Sequence, residues 1–366
     1  MKKNGKRLNE LRKLNRLTLK EVGSKLGVDI SLVSRWENDE RQPNNNQLVE
    51  LARLFGVTLN FLFDGQELVA VNFRTTLPKD SEEYKALTKV YLEALQNASG
   101  VKRIMSGSKR KISAQMPSFK VDSMDEIPGI VSQIKDFYRL NNIVSLDELK
   151  GALRDKGVFI FEWLMPHRVS GFTVSGECKV IYLNHAHTPE RRLFTLAHEL
   201  GHLLLHSDQP ECSFESNLAR RTQPEKEANT FANELLLSDV NLKKLVRESG
   251  TRLKNPAVLK SIAGVFNISP DALFYRLMQH RFFSPVERTN FVTPYLPQEV
   301  DFTFRVVNIE DQVDKEYLTT VYAEYIDDGI SFTKLRDLLF TDENTLSEYL
   351  DKMESLIEDN IGKDDH

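Results

Sequence analysis

The chain has 366 residues, 49 of them Lys or Arg and 53 Asp or Glu, with 40% hydrophobic side chains and two cysteines. That length allows two or three domains with buried cores; two cysteines, Cys178 and Cys212, exclude a disulfide framework. A basic N-terminus without an apolar signal core, and no apolar run of spanning length, argue against secretion and membrane insertion and for a cytoplasmic location. The near-neutral total hides an asymmetry, because residues 1–65 hold 12 basic against 8 acidic residues while residues 286–366 hold 7 against 20. The two ends therefore face different partners, or each other.

From Gly5 to Gly65 the pattern predicts five short helices. Leu8, Leu11 and Leu14 mark the first; Thr18 caps a second that runs through Val22 and Leu26 and stops at Gly27. Asp29 starts a third from Ile30 to Asn38; Leu48, Leu51, Leu54 and Phe55 mark a fourth, and Asn60 to Phe63 a fifth. Two helices of this length joined at Gly27-Val28 have the proportions of a helix-turn-helix. Gly23, which costs about 1 kcal/mol in a helix interior relative to Ala, makes sense if the third helix passes close by.

Leu17-Thr18, Val22-Gly23, Leu26-Gly27-Val28 and the run from Val33 to Asn38 resemble the phage-repressor-like (XRE) DNA-binding domains. The chain departs from them at Leu19, where many members have a phosphate-contacting glutamine, and at Asp39, where glycine is usual. The resemblance implies that Ile30, Ser31 and Arg35 face the major groove, Arg35 pairing with a guanine and Ile30 meeting a thymine methyl. It also implies phosphate contacts from Lys20, Arg41 and Asn44, with Lys6 and Arg7 as further candidates, and a Glu37–Arg12 pair bracing the third helix. Double-stranded operator DNA and a homodimer are the partners expected of such a domain.

Residues 82–98 are amphipathic, with Tyr84, Leu87, Val90, Tyr91 and Leu95 on one side, and predict a packed helix. Residues 101–121 carry six basic residues and no acid among Gly, Ser and Pro, and read as a linker that could also trail along single-stranded nucleic acid. Helices are expected at 123–140 and 145–156, and strands at Gly157–Phe161 and Lys179–Asn184. The second strand runs almost directly into the next helix, where an exposed edge would align an extended peptide by strand addition. Tyr182, His185 and His187 lie near that mouth as candidates to bind an oxyanion.

That helix, opened by Thr188-Pro189-Glu190, carries His198-Glu199-Leu200-Gly201-His202. At 3.6 residues per turn the two histidines share a face, so one zinc ion can be held between them with Glu199 beside its water. His206 shares the face but sits about 12 Å along the axis from His198, too far to join the same ion. A second helix opened by Pro224 offers Glu225 as third ligand and Asn229, one turn on, to orient a ligand histidine through its other ring nitrogen; Glu227 is the runner-up.

The sequence from His198 to His206, followed by Glu225-x-x-Ala-Asn-x-Phe-Ala-x-x-Leu-Leu, resembles the ImmA/IrrE family of zinc metallopeptidases, which act against transcriptional repressors. The resemblance covers roughly residues 125–275, with Ser238 replacing a proline found in many members. It implies His198, His202 and Glu225 as metal ligands and Glu199 as catalytic acid/base. Zinc is the expected ion, although two histidines and a carboxylate also suit manganese or iron.

The fold expected is mainly α with a small β-sheet (α+β). It comprises a helix-turn-helix domain at 1–65, a helical connector and basic linker at 66–122, a zincin-like peptidase domain at 123–281 and an acidic α/β region at 282–366. The last includes an alternating stretch, Val300 to Val307, and serves as a sensor, a partner platform or a solubilising surface. The whole reads as a DNA-binding repressor whose peptidase domain cleaves itself or a partner repressor on a signal, single-stranded DNA being one candidate inducer. The alternatives are a regulator with a structural or ligand-sensing metal site and no proteolysis, and an antitoxin-like or phage-defence regulator.

Overall fold

The computed structural model describes residues 4–63, 82–107, 116–166, 169–175, 178–206, 222–284, 287 and 308–361. The first five helices are α1 (Gly5–Leu14), α2 (Leu19–Leu26), α3 (Ile30–Glu37), α4 (Asn45–Phe55) and α5 (Leu59–Phe63). Local chemistry fixes their ends. Thr18 and Glu21 form a capping box on α2, Asn44 and Gln47 another on α4, and Asp29 accepts from the Ser31 N–H at the start of α3. Gly23 is required by the turn rather than by the body of α3, since a Cβ there would stand 2.8 Å from the Val28 carbonyl oxygen.

Both departures from the family pattern have a structural account. Leu19 packs half-buried against the apolar core. Asp39 takes the left-handed conformation usual for glycine, at φ 57°, and its carboxylate accepts from the Gly5 N–H at 2.8 Å. The expected Arg12–Glu37 pair is present, with Nε 2.5 Å from Oε1, and Arg12 also donates to the Leu17 carbonyl, so α1, α3 and the intervening turn are held together.

Helix α6 (Glu82–Gly107) is longer than the amphipathic stretch suggested. It continues through Val101 and Met105, both buried, into what reads as linker, while Lys102 and Arg103 lie on the less buried side. Residues 108–115 of the expected linker lie outside the described residues.

The central region starts with α7 (Ile127–Tyr138) and α8 (Leu146–Arg154) and contains β1 (Val158–Trp163), β2 (Gly171–Ser175) and β3 (Lys179–Asn184). Strand order is β1-β3-β2, with β1 parallel and β2 antiparallel to β3. Then follow α9 (Pro189–Leu205), α10 (Gln223–Leu236), α11 (Asp239–Ser249), α12 (Pro256–Val265) and α13 (Pro270–Gln279). The expectation that Lys179–Asn184 offers an open edge is corrected: β3 is paired on both sides, and the edge beside α9 belongs to β2, which the sequence reading missed.

Both faces of the sheet are covered, which explains strands buried along nearly their whole length. Ile160, Ile181 and Leu183 face the core shared with α7–α9, whereas Phe159, Phe161, Phe172 and Tyr182 belong to a core shared with α6 and the C-terminal helices. Those are α14 (Ile309–Gln312), α15 (Lys315–Ile326), α16 (Phe332–Leu339) and α17 (Glu343–Ile361). The described part of the acidic region is thus helical and packed; Val300 to Val307, expected as a strand, lies outside the described residues.

Asp314 fastens this region to the sheet. It is 1% exposed, caps α15, and its Oδ2 accepts from the Ile160 N–H at 3.1 Å and from Arg154 Nε at 3.0 Å, closing off the edge of β1. A second fastening is Glu162 on β1, buried between Lys150 of α8 and Arg192 of α9, with His185 Nδ1 3.2 Å away. Among the described residues no helix is long and apolar enough to cross a membrane.

Candidate metal centre

Helix α9 opens as its sequence suggests, with Thr188 capping through the Arg191 N–H and Pro189 in the first turn. Its apolar residues are buried on several sides, so His198 and Glu199, 8% and 3% exposed, are held inside the protein. Helix α10 lies along it because both are small at the crossing. A Cβ on Gly201 would stand 3.2 Å from Ala228 Cα and 3.2 Å from Phe231 Cδ1. This close approach brings Glu225 to the histidines.

His198 Nε2 and His202 Nε2 are 3.0 Å apart, and the Glu225 carboxylate oxygens lie 3.5 Å from the first and 3.3 Å from the second. Three donors on a tetrahedral ion with bonds of about 2 Å are separated by roughly 3.3 Å, so the cluster fits a divalent metal such as zinc. The charge states agree with that fit. Burial pushes the His202 imidazole down to about 4, so it is neutral near pH 7 and has a lone pair to give. Burial alone would raise Glu225, but hydrogen bonds and charge from His198 and His202 outweigh it and hold the carboxylate below its ordinary range.

The outer nitrogen of His202 meets His206, not Asn229: the two Nδ1 atoms are 3.1 Å apart. His206 Nε2 is 2.9 Å from Glu227 Oε2, and Gln223 donates to Glu227 Oε1 at 2.8 Å. With a lone pair at His202 Nε2, the proton sits on Nδ1 and is donated to His206, which donates in turn to the Glu227 carboxylate. Every link has a donor and an acceptor. His206 caps the end of α9 and lies outside the three-donor cluster, and Glu227 bonds to it while Glu225 joins the cluster.

Glu199 is not one of the three clustered donors; its Oε2 accepts from the Thr173 hydroxyl of β2 at 2.7 Å. Thr173 was not foreseen, and its only sequence signal is the short β-type run Phe172-Thr173-Val174. Of the residues expected near an oxyanion, Tyr182 is on the far face of the sheet with its hydroxyl 2.7 Å from Asn97 Oδ1, and His185 is engaged with Glu162; His187 is buried.

In the N-terminal domain Ile30, Ser31 and Arg35 are exposed on one side of α3, and Lys20, Arg41 and Asn44 are exposed around it. Asn44 already uses its Oδ1 as a helix cap. Arg7 departs from expectation: it is 6% exposed and stacks over the Phe61 ring at 4.8 Å, so it braces α5 instead of facing phosphate.

Two family models match the chain: a helix-turn-helix at residues 8–62 and an IrrE N-terminal-like domain at residues 154–278. An N-terminal helix-turn-helix of the phage-repressor kind is therefore fused to an ImmA/IrrE-like domain of a peptidase family. The chain is 33% identical over 79 residues to the HTH-type transcriptional regulator ImmR of Bacillus subtilis (strain 168), covering 22% of this chain and 62% of that one. It is 28% identical over 85 residues to the HTH-type transcriptional activator BcrR of Enterococcus faecalis, covering 23% of this chain and 38% of the relative. The chain thus spans less than two thirds of the length of the curated relatives it matches. No solved structure matches it significantly.

Proposed function

We propose that this protein is a zinc-dependent peptidase joined to an operator-binding head, a regulator that cleaves itself or a partner repressor in response to a signal. The observation that carries this reading is the division of labour at α9. His198, His202 and Glu225 supply the three donors, while Glu199, next to His198 on α9, accepts a hydrogen bond from Thr173 instead of joining them. A purely structural site has no use for a second carboxylate kept for water beside its three donors.

A bound divalent ion would supply Lewis acidity, acidifying a water and polarising a peptide carbonyl. Glu199 then takes the proton of the attacking water and passes it to the leaving amine nitrogen. Thr173 fixes the direction of that carboxylate, and the relay through His206 and Glu227 fixes the His202 tautomer. The edge of β2, next to α9, is the place for an extended peptide to pair. At the other end, Arg35 and Ile30 read the major groove of operator DNA, with Lys20, Arg41 and Asn44 on phosphates and two copies on paired half-sites. The relatives named as transcriptional regulators support that assignment.

The test is to incubate the full chain and Glu199→Gln with zinc, manganese or iron and cell extract, with and without single-stranded DNA, and look for a defined fragment by mass spectrometry. A fragment is expected from the wild type alone, with the metal content of both proteins equal. Equal metal and no glutamate-dependent fragment under any condition would leave a regulator whose metal site senses or supports without cutting.

A further inference from the structure

Between α5, α6 and α16 lies a cleft of about 790 Å3, away from the metal centre. That is within the size range of small-molecule sites. Its lining is not that of a simple packing gap. Lys102 and Arg103 of α6 and Lys334 and Arg336 of α16 border it, against one acid, Asp337. Arg336 is taken up by Asp337 and Glu343, but Arg103 and Lys334 have no ion-pair partner among the described residues. The concentration is unexpected, since the C-terminal region from residue 286 has 7 basic against 20 acidic residues and places two of the 7 here.

Asn97 also lines the cleft, 2% exposed, and meets the Tyr182 hydroxyl at 2.7 Å, the same hydroxyl donating to the Ala94 carbonyl oxygen at 2.9 Å, so this wall is tied to the sheet. Rings make up most of the apolar lining, which also includes Leu338: Phe61 and Phe63 of the N-terminal domain, Tyr317 of α15, and Phe340 after α16.

We propose that this cleft is an effector site for a small anionic ligand with a flat ring, the chemistry of a mononucleotide: its phosphate meets Arg103 and Lys334, and its ring lies against the phenylalanines. The site spans the joint of the molecule. Neighbouring Gln96 accepts the Thr58 N–H at 2.9 Å, tying the start of α5 to α6, and Asn97 is bonded to β3, which leads towards α9. A ligand there contacts the DNA-binding head and the connector together.

Calorimetric titration of the full chain with AMP, GMP and inorganic phosphate tests this, alongside the double variant Arg103→Gln/Lys334→Gln and Phe63→Ala. Both variants change only side chains at the cleft rim, Phe63 being 38% exposed, so both stay informative about binding. The expected result is a nucleotide Kd below about 1 mM, phosphate at least tenfold weaker, and roughly a tenfold loss in each folded variant. The proposal is overturned if neither nucleotide binds, if both variants bind as the wild type does, or if phosphate binds as well as the nucleotides.

Discussion

Glu199 and Glu225 are both buried at the candidate metal centre, and the different tasks proposed for them follow from what each carboxylate touches. Glu225 faces two imidazole nitrogens at 3.3 and 3.5 Å, whereas Glu199 faces a hydroxyl at 2.7 Å. Thr173→Val keeps the side-chain volume but removes that hydroxyl. Peptide turnover should fall roughly ten- to a hundredfold, the worth of a hydrogen bond to a charged group, with metal affinity unchanged in a chelator competition. Glu227→Gln should do the reverse to metal binding. It takes the charge from the far end of the His202–His206 chain, and a loss of about ten- to a hundredfold in zinc affinity is expected in the same competition. Unchanged zinc affinity would show that His206 and Glu227 only fill space.

Elements place these residues, and some of that placement could be read from the sequence. Helices α2, α3, α4 and α9 announce themselves by a cap, a glycine or proline at an end, and regular apolar spacing, so His198, Glu199 and His202 were placed on one helix from spacing alone. Strand β2 was not legible: it has five residues and takes its pairing from β3, later in the chain. The end of α6 was hidden for another reason. Lys102 and Arg103 suggest a linker unless Val101 and Met105 are known to be covered. Gly201 sets the spacing of α9 and α10, and Gly201→Leu should force them apart at Ala228 and Phe231, lowering zinc affinity at least about tenfold while helix content by circular dichroism persists.

A pH effect also belongs to α6. Glu93 is pushed up to about 7 by burial, with nearby Lys89 pulling it back only partly. Because the folded value is above the unfolded one, its contribution is fully present below about pH 4.5 and is lost as pH rises through about 7. Glu93→Gln should therefore stabilise the protein by about 3 kcal/mol at pH 8 and leave it nearly unchanged at pH 4.5. Denaturant unfolding at the two pH values checks this; equal effects at both would remove Glu93 titration as the cause.

For the whole molecule, the acidic C-terminal region is part of the structure that its composition alone would assign to a solubilising surface. Tyr317 packs edge-on to Phe161 with ring centres 5.5 Å apart, and Phe340 lies 5.1 Å from Trp163, so α15 and α16 cover one face of the sheet whose other face packs on the zinc-motif helix. Ending the chain at residue 307 would bare these rings and leave the Ile160 N–H and Arg154 without Asp314. Such a protein should bind apolar dyes, precipitate and lose its cooperative melting transition. Asp314→Ala, which removes the fastening alone, should cost about 3 kcal/mol in denaturant unfolding, because a buried acceptor shared by two donors disappears. If the shortened chain melted cooperatively at the wild-type temperature, the region would be an independent appendage, and the effector cleft bordered by α16 would have no route to the sheet.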